Sequence, residues 1–219
     1  MRTRATLLIL FAAALGAPLG GVIIDRVAVS VGTSVITVSQ IDLAIRVTAF
    51  LNGEPPDFSP ASRRQTAGRL LDQLLVRNEL QLARYPSSPE DVAARLFERF
   101  RRDRFAGNDA NYRAALARAG LTETEIKAQF LWQITFLRFV DARFRPGVQI
   151  SDQEIQNYFD HTVVPAQEKA HPGQKISIDD YRDRIERVLI QQRVDQQLDG
   201  WLKEARSRAE VRFHEEAFR

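Results

Sequence analysis

Strand-like alternation occurs near the two ends of this sequence, and the long interval between them has helical spacing. In IIDRVAVSVGTSVITV, residues 23–38, apolar side chains alternate with polar or small ones on both sides of Gly32-Thr33-Ser34. This pattern predicts a β-hairpin with its turn at those three residues. An isolated two-stranded hairpin is only marginally stable in water. The hairpin therefore needs a third strand or a helical surface to pack on.

The end of the chain supplies a candidate third strand. In AEVRFHEE, residues 209–216, Val211 and Phe213 alternate with Arg212 and an outward-facing His214. We expect this strand to close a small sheet with the hairpin and so tie both ends of the chain across a helical body. The predicted fold class is mainly α, with a small antiparallel sheet from the N-terminal hairpin and the C-terminal strand.

Capping residues mark the helix starts between these strands. Sequences of the form S/T-x-x-D/E predict capping boxes, in which side chains accept hydrogen bonds from the free N–H groups of a helix's first turn. Such sequences begin at Ser39, Thr122 and Ser151. Further starts are predicted at Ser59-Pro60, Ser88-Pro89, Asn108 or Asp109, and Ser177. The helix after Thr122 is apolar nearly all round, which predicts a central, buried helix.

The first 20 residues have the pattern of a secretory signal peptide. Arg2 and Arg4 precede an apolar run, Leu7 to Leu15, that is too short to span a bilayer. Ala14-Leu15-Gly16 then provides a small-x-small cleavage signal. The alternative is an uncleaved N-terminal anchor, whereas a lipoprotein is excluded because the cleavage region has no cysteine. We expect a periplasmic protein without stable membrane insertion once the signal is cleaved.

The balance of charges does not favour a nucleic-acid partner. Lys and Arg number 31 against 28 Asp and Glu, so without Arg2 and Arg4 the count is 29 against 28, a net charge of +1. Such a chain lacks the basic surplus typical of proteins that bind phosphate backbones.

No motif indicates a catalytic site. The sequence has no cysteine, no G-x-S-x-G, no P-loop and no G-x-G-x-x-G. His161 and His171 flank Glu168 in DHTVVPAQEKAHPGQK, residues 160–175, but they lack a third convincing metal ligand. Two prolines, a glycine and the absence of apolar spacing predict irregular structure there. The sequence therefore predicts no enzyme activity, no cofactor and no metal.

The stretch RLFERFRRDRFAG, residues 95–107, interleaves five arginines with three phenylalanines. Such a surface could bind single-stranded nucleic acid by phosphate pairing and stacking. Alternatively the phenylalanines face the core and the arginines the solvent, or the aromatic rings give a sequence-tolerant surface for polypeptide clients. The residues predicted to bind clients are Phe97, Phe100, Arg101, Phe105 and, near the end of the chain, Trp201. In contrast, we expect Trp132, Phe136 and Phe139 to pack in the core.

Four stretches carry a resemblance to a known family: IIDRVAVSVGTSVITVSQID (23–42), RLLDQLLVRNELQLARY (69–85), ISDQEIQNYFDHT (150–162) and WLKEARSRAEVRF (201–213). Their order resembles the N-terminal domain of the SurA-type periplasmic chaperones, together with the C-terminal helix and strand that return to pack on that domain. The resemblance covers most of the chain after the signal peptide.

The departure from that family lies between the two parts of the resemblance. SurA-type chaperones carry parvulin-type prolyl isomerase domains at this point, and the interval here is too short for one. The resulting domain prediction is a signal peptide (1–20), a SurA N-terminal-like helical chaperone domain (21–160), a linker (161–176) and a C-terminal helix and strand packing back on it (177–219). A hinge in the linker would also permit a domain-swapped homodimer.

The resemblance implies an ATP-independent holdase for unfolded exported polypeptides, among them outer-membrane β-barrel precursors, without isomerase activity. Clients would bind in an apolar groove between the helical body and the long C-terminal helix. One alternative is a non-catalytic assembly or interaction factor with one dedicated periplasmic partner. Another is a residual prolyl isomerase, which the missing domain disfavours.

Overall fold

The computed structural model describes residues 25–83, 85 and 90–219, and the signal-peptide prediction and the start at Ser88-Pro89 lie outside these residues. The described chain is mainly helical with a three-stranded antiparallel sheet, as predicted. Its strands are β1 (Val27–Val31), β2 (Ser34–Thr37) and β3 (Val211–Phe213). Its α-helices are α1 (Val38–Asn52), α2 (Pro60–Leu82), α3 (Glu90–Phe105), α4 (Asp109–Ala119), α5 (Glu123–Phe144), α6 (Asp152–Tyr158), α7 (Val164–Ala170) and α8 (Arg182–Arg208).

The sheet joins the two ends of the described chain in the order β2-β1-β3. Val29 of β1 is paired with Ile36 on one side and with Phe213 on the other. The His214 N–H donates to the Ala28 carbonyl at 2.9 Å, and the His214 ring lies 2.9 Å from the Ser30 hydroxyl. His214 is therefore part of the sheet's hydrogen bonding, although the sequence predicted an outward-facing residue. β3 gives the hairpin the third strand that it needs.

The sheet packs on α1, α2 and the last turn of the chain. Val29 and Ile41 are fully buried in this cluster, and Leu71 of α2 is 3% exposed. The 3₁₀ turn Glu215–Phe218 follows β3 and places Phe218, 4% exposed, in the same cluster. The core beneath the hairpin is therefore completed by residues from the far end of the sequence.

Two of the three predicted capping boxes are present, and the first is displaced. Thr122 and Ser151 cap α5 and α6 as predicted. The cap of α1 is Thr37 rather than Ser39, because the Thr37 hydroxyl accepts from the Gln40 N–H and the Gln40 side chain accepts from the Thr37 N–H. The last residue of β2 is thus the helix cap, and Ser39 donates to Asp25 instead.

α5 was predicted to be a central, buried helix, and it is buried on only part of its surface. Trp132 and Phe139 lie in the core, as expected, and Phe136 is half-buried. Leu137, however, is 57% exposed. The cause is that α5 packs against α3, α8 and α1, which cover only part of its circumference.

α8 returns to the body of its own chain. Ile185 and Val194 are buried at 1% and 0% exposure. Arg206 makes a bidentate pair with Asp72 of α2, with Nε 2.7 Å from Oδ1. The described chain therefore has the closed arrangement, and the domain-swapped homodimer stays a prediction.

The segment predicted to be an irregular linker is mostly helical. Phe159–Val163 forms a π-helical turn and α7 follows it directly. Pro165 lies in the first turn of α7, directly after the π-helical turn. Gln167 donates from Nε2 to the Tyr181 hydroxyl at 2.6 Å and so ties α7 to the start of the C-terminal part.

Candidate binding groove

An open, mainly apolar groove of about 370 Å³ runs between the end of the hairpin and three helices. We call it the α2–α5 groove. Leu43 and Leu74 line it as half-buried side chains, and Val35 at one end is 49% exposed. Ala44 and Ala128 present only methyl groups, which leaves the groove open. Its lining residues are Val35, Ile36, Gln40, Leu43, Ala44, Val47, Leu70, Gln73, Leu74, Arg77, Glu125, Ala128, Gln129 and Trp132.

The polar groups of the α2–α5 groove are mostly uncharged amides. Gln40, Gln73 and Gln129 come from three different helices. An amide can donate or accept, so these side chains can pair with the backbone of an extended peptide whatever its sequence. The groove thus combines an apolar floor with adaptable hydrogen bonding.

Arg77 and Trp132 both line the α2–α5 groove. The Arg77 guanidinium lies 4.1 Å from the centre of the Trp132 ring, a cation–π arrangement. Burial lowers the pKa of Arg77, although an arginine stays charged at neutral pH. Trp132 was predicted to be a core residue and is 8% exposed, so it supports the groove from the core side.

A second depression of about 360 Å³ continues the groove along α2 and α5. The two share Arg77, Ala128 and Trp132, and the second adds Leu80 and Leu131. Together they form one strip between α2 and α5.

Aromatic packing fills part of the boundary between the body and α8, where a client groove was predicted. Trp201 of α8 packs against α5, with its ring 5.4 Å from that of Phe139 and 6.3 Å from that of Phe144. Trp201, a predicted client-binding residue, is half-buried in this contact. A depression of about 330 Å³ does lie between residues 158–167 and α8, lined by Tyr158, Val163, Ile185 and Val188 among others.

The predicted client-binding stretch in α3 is divided between core and surface. Phe97 is 1% exposed and packs its edge against Tyr112 and Phe130 at centroid distances of 6.2 and 6.1 Å. It is therefore a core residue and presents no surface to a client. Phe100 and Phe105 are half-buried and both contact Phe50 of α1.

Arg101 is engaged within the chain. Its guanidinium lies 5.6 Å from the Phe97 ring and 5.1 Å from the Tyr112 ring. It also pairs with Glu98 at 3.2 Å and with Asp109 of α4. These contacts leave Arg101 as a link between α3 and α4 rather than an unpaired surface cation.

The buried hydroxyl of Tyr112 gives a pH-dependent prediction. It has no hydrogen-bond partner among the described residues, and burial raises the pKa of Tyr112 from 10.0 to about 12. The folded state holds the Tyr112 proton more tightly than the unfolded state does. The protonated hydroxyl therefore contributes fully to the free energy of unfolding below pH 10, and this contribution is lost as the pH rises towards about 12. In an ultraviolet absorbance titration, we expect a late phase near pH 12 that is missing from Tyr112→Phe. Identical curves for the two proteins would contradict this.

The described residues contain no group of three or more His, Cys, Asp or Glu side chains placed to hold a metal ion. Glu168, which the sequence placed between two histidines, accepts the Gly173 N–H at 3.3 Å and so closes the turn after α7. In the same part of the chain, no helix is long and apolar enough to cross a bilayer.

No protein-family model matches the chain, and no curated protein matches it. Any function assigned to it rests on its own geometry and on the resemblance noted above.

Proposed function

We propose that this protein is a passive, ATP-independent chaperone that holds unfolded exported or outer-membrane polypeptides and has no isomerase activity. The observation that carries the proposal is the α2–α5 groove, an open apolar strip with glutamines among its lining residues. The order of elements and the four stretches that resemble SurA-type chaperones also support it.

The groove suits weak, sequence-tolerant binding. Apolar client side chains gain about 25 cal/mol for each Å² removed from water. Ordering an unfolded client offsets much of that gain. A client would therefore exchange readily, which a chaperone without an energy source requires for release.

The direct test dilutes a urea-unfolded outer-membrane barrel protein, and separately an unfolded soluble protein, into buffer with and without this protein. Suppressed aggregation of both clients is the expected result. Unchanged light scattering for both would overturn the chaperone function. Capture of a single stoichiometric partner from periplasmic extract would then favour a dedicated assembly factor.

A charge at Ala128, which lines both the α2–α5 groove and its continuation, should weaken client binding. Ala128 is exposed, so Ala128→Glu and Ala128→Lys should both fold. An apolar client segment would have to bury the new charge. We expect half-suppression of aggregation to need about tenfold more protein, which corresponds to about 1.4 kcal/mol. Both signs are tested because Arg77 could neutralise the glutamate.

The matched controls are Ala142→Glu and Ala142→Lys. Ala142 is also exposed on α5 but does not line the α2–α5 groove or its continuation. These variants should suppress aggregation like the unaltered protein. Equal effects at positions 128 and 142 would move the client site away from the groove.

A further inference from the structure

A second cavity, different in chemistry from the α2–α5 groove, lies between α1, α3, α4 and the loop after α1. Its volume is about 850 Å³. We call it the arginine pocket because Arg46, Arg104 and Arg118 line it from three different helices. Glu54 is the one acidic residue among its described lining residues.

The three arginines of the pocket have no ion-pair partner within the described residues, Glu54 included. Nearby arginines behave differently, since Arg63 pairs with Asp42 at 2.9 Å and Arg101 pairs with Glu98 and Asp109. Like charges brought together without counter-charges repel, so the pocket has an electrostatic preference for an anion.

Two further features describe how these arginines are held at the pocket. The Nε atom of Arg46 is buried and has no hydrogen-bond partner in the described part of the chain, as is also true of the Nε atom of Arg101 outside the pocket. Arg104 lies directly against Gly53, where a Cβ would come within 1.6 Å of its Nη2 atom. Gly53 has a φ of 75° and caps α1, so the backbone both ends the helix and leaves space for the guanidinium.

The remaining walls of the pocket are apolar. Phe50 and Phe105 are stacked with their centroids 6.1 Å apart, and Phe58 adds a third ring from the loop. Arginines pair with carboxylates and phosphates by bidentate hydrogen bonds, and aromatic walls exclude water from an apolar group beside them.

We propose that the arginine pocket binds an amphiphilic organic anion: a carboxylate or phosphate head group joined to an aromatic or aliphatic body. The head group pairs with Arg104 and Arg118, and the body packs on Phe50 and Phe105. This site is separate from the client groove and does not depend on the proposed chaperone function.

The test titrates the full ¹⁵N-labelled chain, followed by NMR chemical shifts, with four probes. These are 3-phenylpropionate, phenyl phosphate, the neutral 3-phenylpropanamide and inorganic phosphate. We expect the two aromatic anions to bind with a Kd of about 1 mM or tighter. The amide, which lacks the charge, and inorganic phosphate, which lacks the body, should each bind about tenfold more weakly. Comparing the two aromatic anions decides which head group the pocket prefers.

The double variant Arg104→Gln/Arg118→Gln should lower the affinity for both aromatic anions about tenfold. Both side chains are exposed, so folding should be retained, and circular dichroism checks this. Arg99→Gln is the matched control, because Arg99 is an exposed arginine of α3 that does not line the pocket. Its affinity should be unchanged.

The proposal is overturned if the amide binds as well as the acid, if inorganic phosphate equals phenyl phosphate, or if the double variant keeps full affinity. Shift changes confined to the α2–α5 groove would also overturn it.

Discussion

Phe97→Ala is expected to lower the free energy of unfolding by about 3–5 kcal/mol, as for other fully buried aromatic residues. Phe97 is 1% exposed, and its ring contacts the rings of Tyr112 and Phe130 and the guanidinium of Arg101. Urea unfolding followed by circular dichroism measures the loss.

Phe100→Ala is the control, since Phe100 is half-buried on the same helix. This substitution should lower the free energy of unfolding clearly less than Phe97→Ala does. The pair also separates packing from client binding at this stretch. Below its unfolding transition, Phe97→Ala should still suppress client aggregation. A stable Phe97→Ala protein that fails to suppress aggregation would instead place Phe97 in the client site.

Phe218→Ala should have an effect of similar size, about 3–5 kcal/mol, although its site lies next to the last residue of the chain. Phe218 is 4% exposed in the cluster beneath the sheet, 6.3 Å from the Phe213 ring. The Arg64 guanidinium lies over both rings, at 5.4 and 4.1 Å, and also pairs with Glu215. Loss of this ring removes the anchor of β3.

Hydrogen exchange gives Phe218→Ala a second readout. β1 is paired on both sides, so loosening β3 should raise the exchange rates of β1 amides more than those of α5. Arg212→Ala is the control, because Arg212 is exposed in the middle of β3. It should leave stability within about 0.5 kcal/mol. A mild loss for Phe218→Ala would mean that the end of the chain is dispensable for the fold.

The aromatic–arginine stretch of α3 shows what residue spacing leaves undecided. Interleaved Phe and Arg fit a packed helix and a binding surface equally well. Whether Phe97 is buried or exposed depends on α4 and α5, which enclose it through Tyr112 and Phe130. Arg101 likewise forms ion pairs with acidic residues of α3 and α4.

No pattern in the sequence indicated the α2–α5 groove. Its lining residues come from β2, α1, α2 and α5, and apart from Arg77 and Glu125 each is an ordinary apolar, alanine or glutamine position of its own element. A signal could have come from Ala44 and Ala128, small residues on otherwise bulky apolar faces. Without knowing that these faces meet, nothing distinguishes such an alanine from a neutral helix former.

The sequence by itself determined the fold class, the three-stranded sheet and several helix starts, because alternation and capping residues act over a few residues. Thr122 and Ser151 cap helices in the structure as their spacing predicts. Only the tertiary structure decided which apolar faces remain uncovered, that residues 164–170 continue as helix, and that three arginines share one pocket. These features depend on contacts between residues far apart in the chain, and the spacing of residues within one short segment does not indicate such contacts.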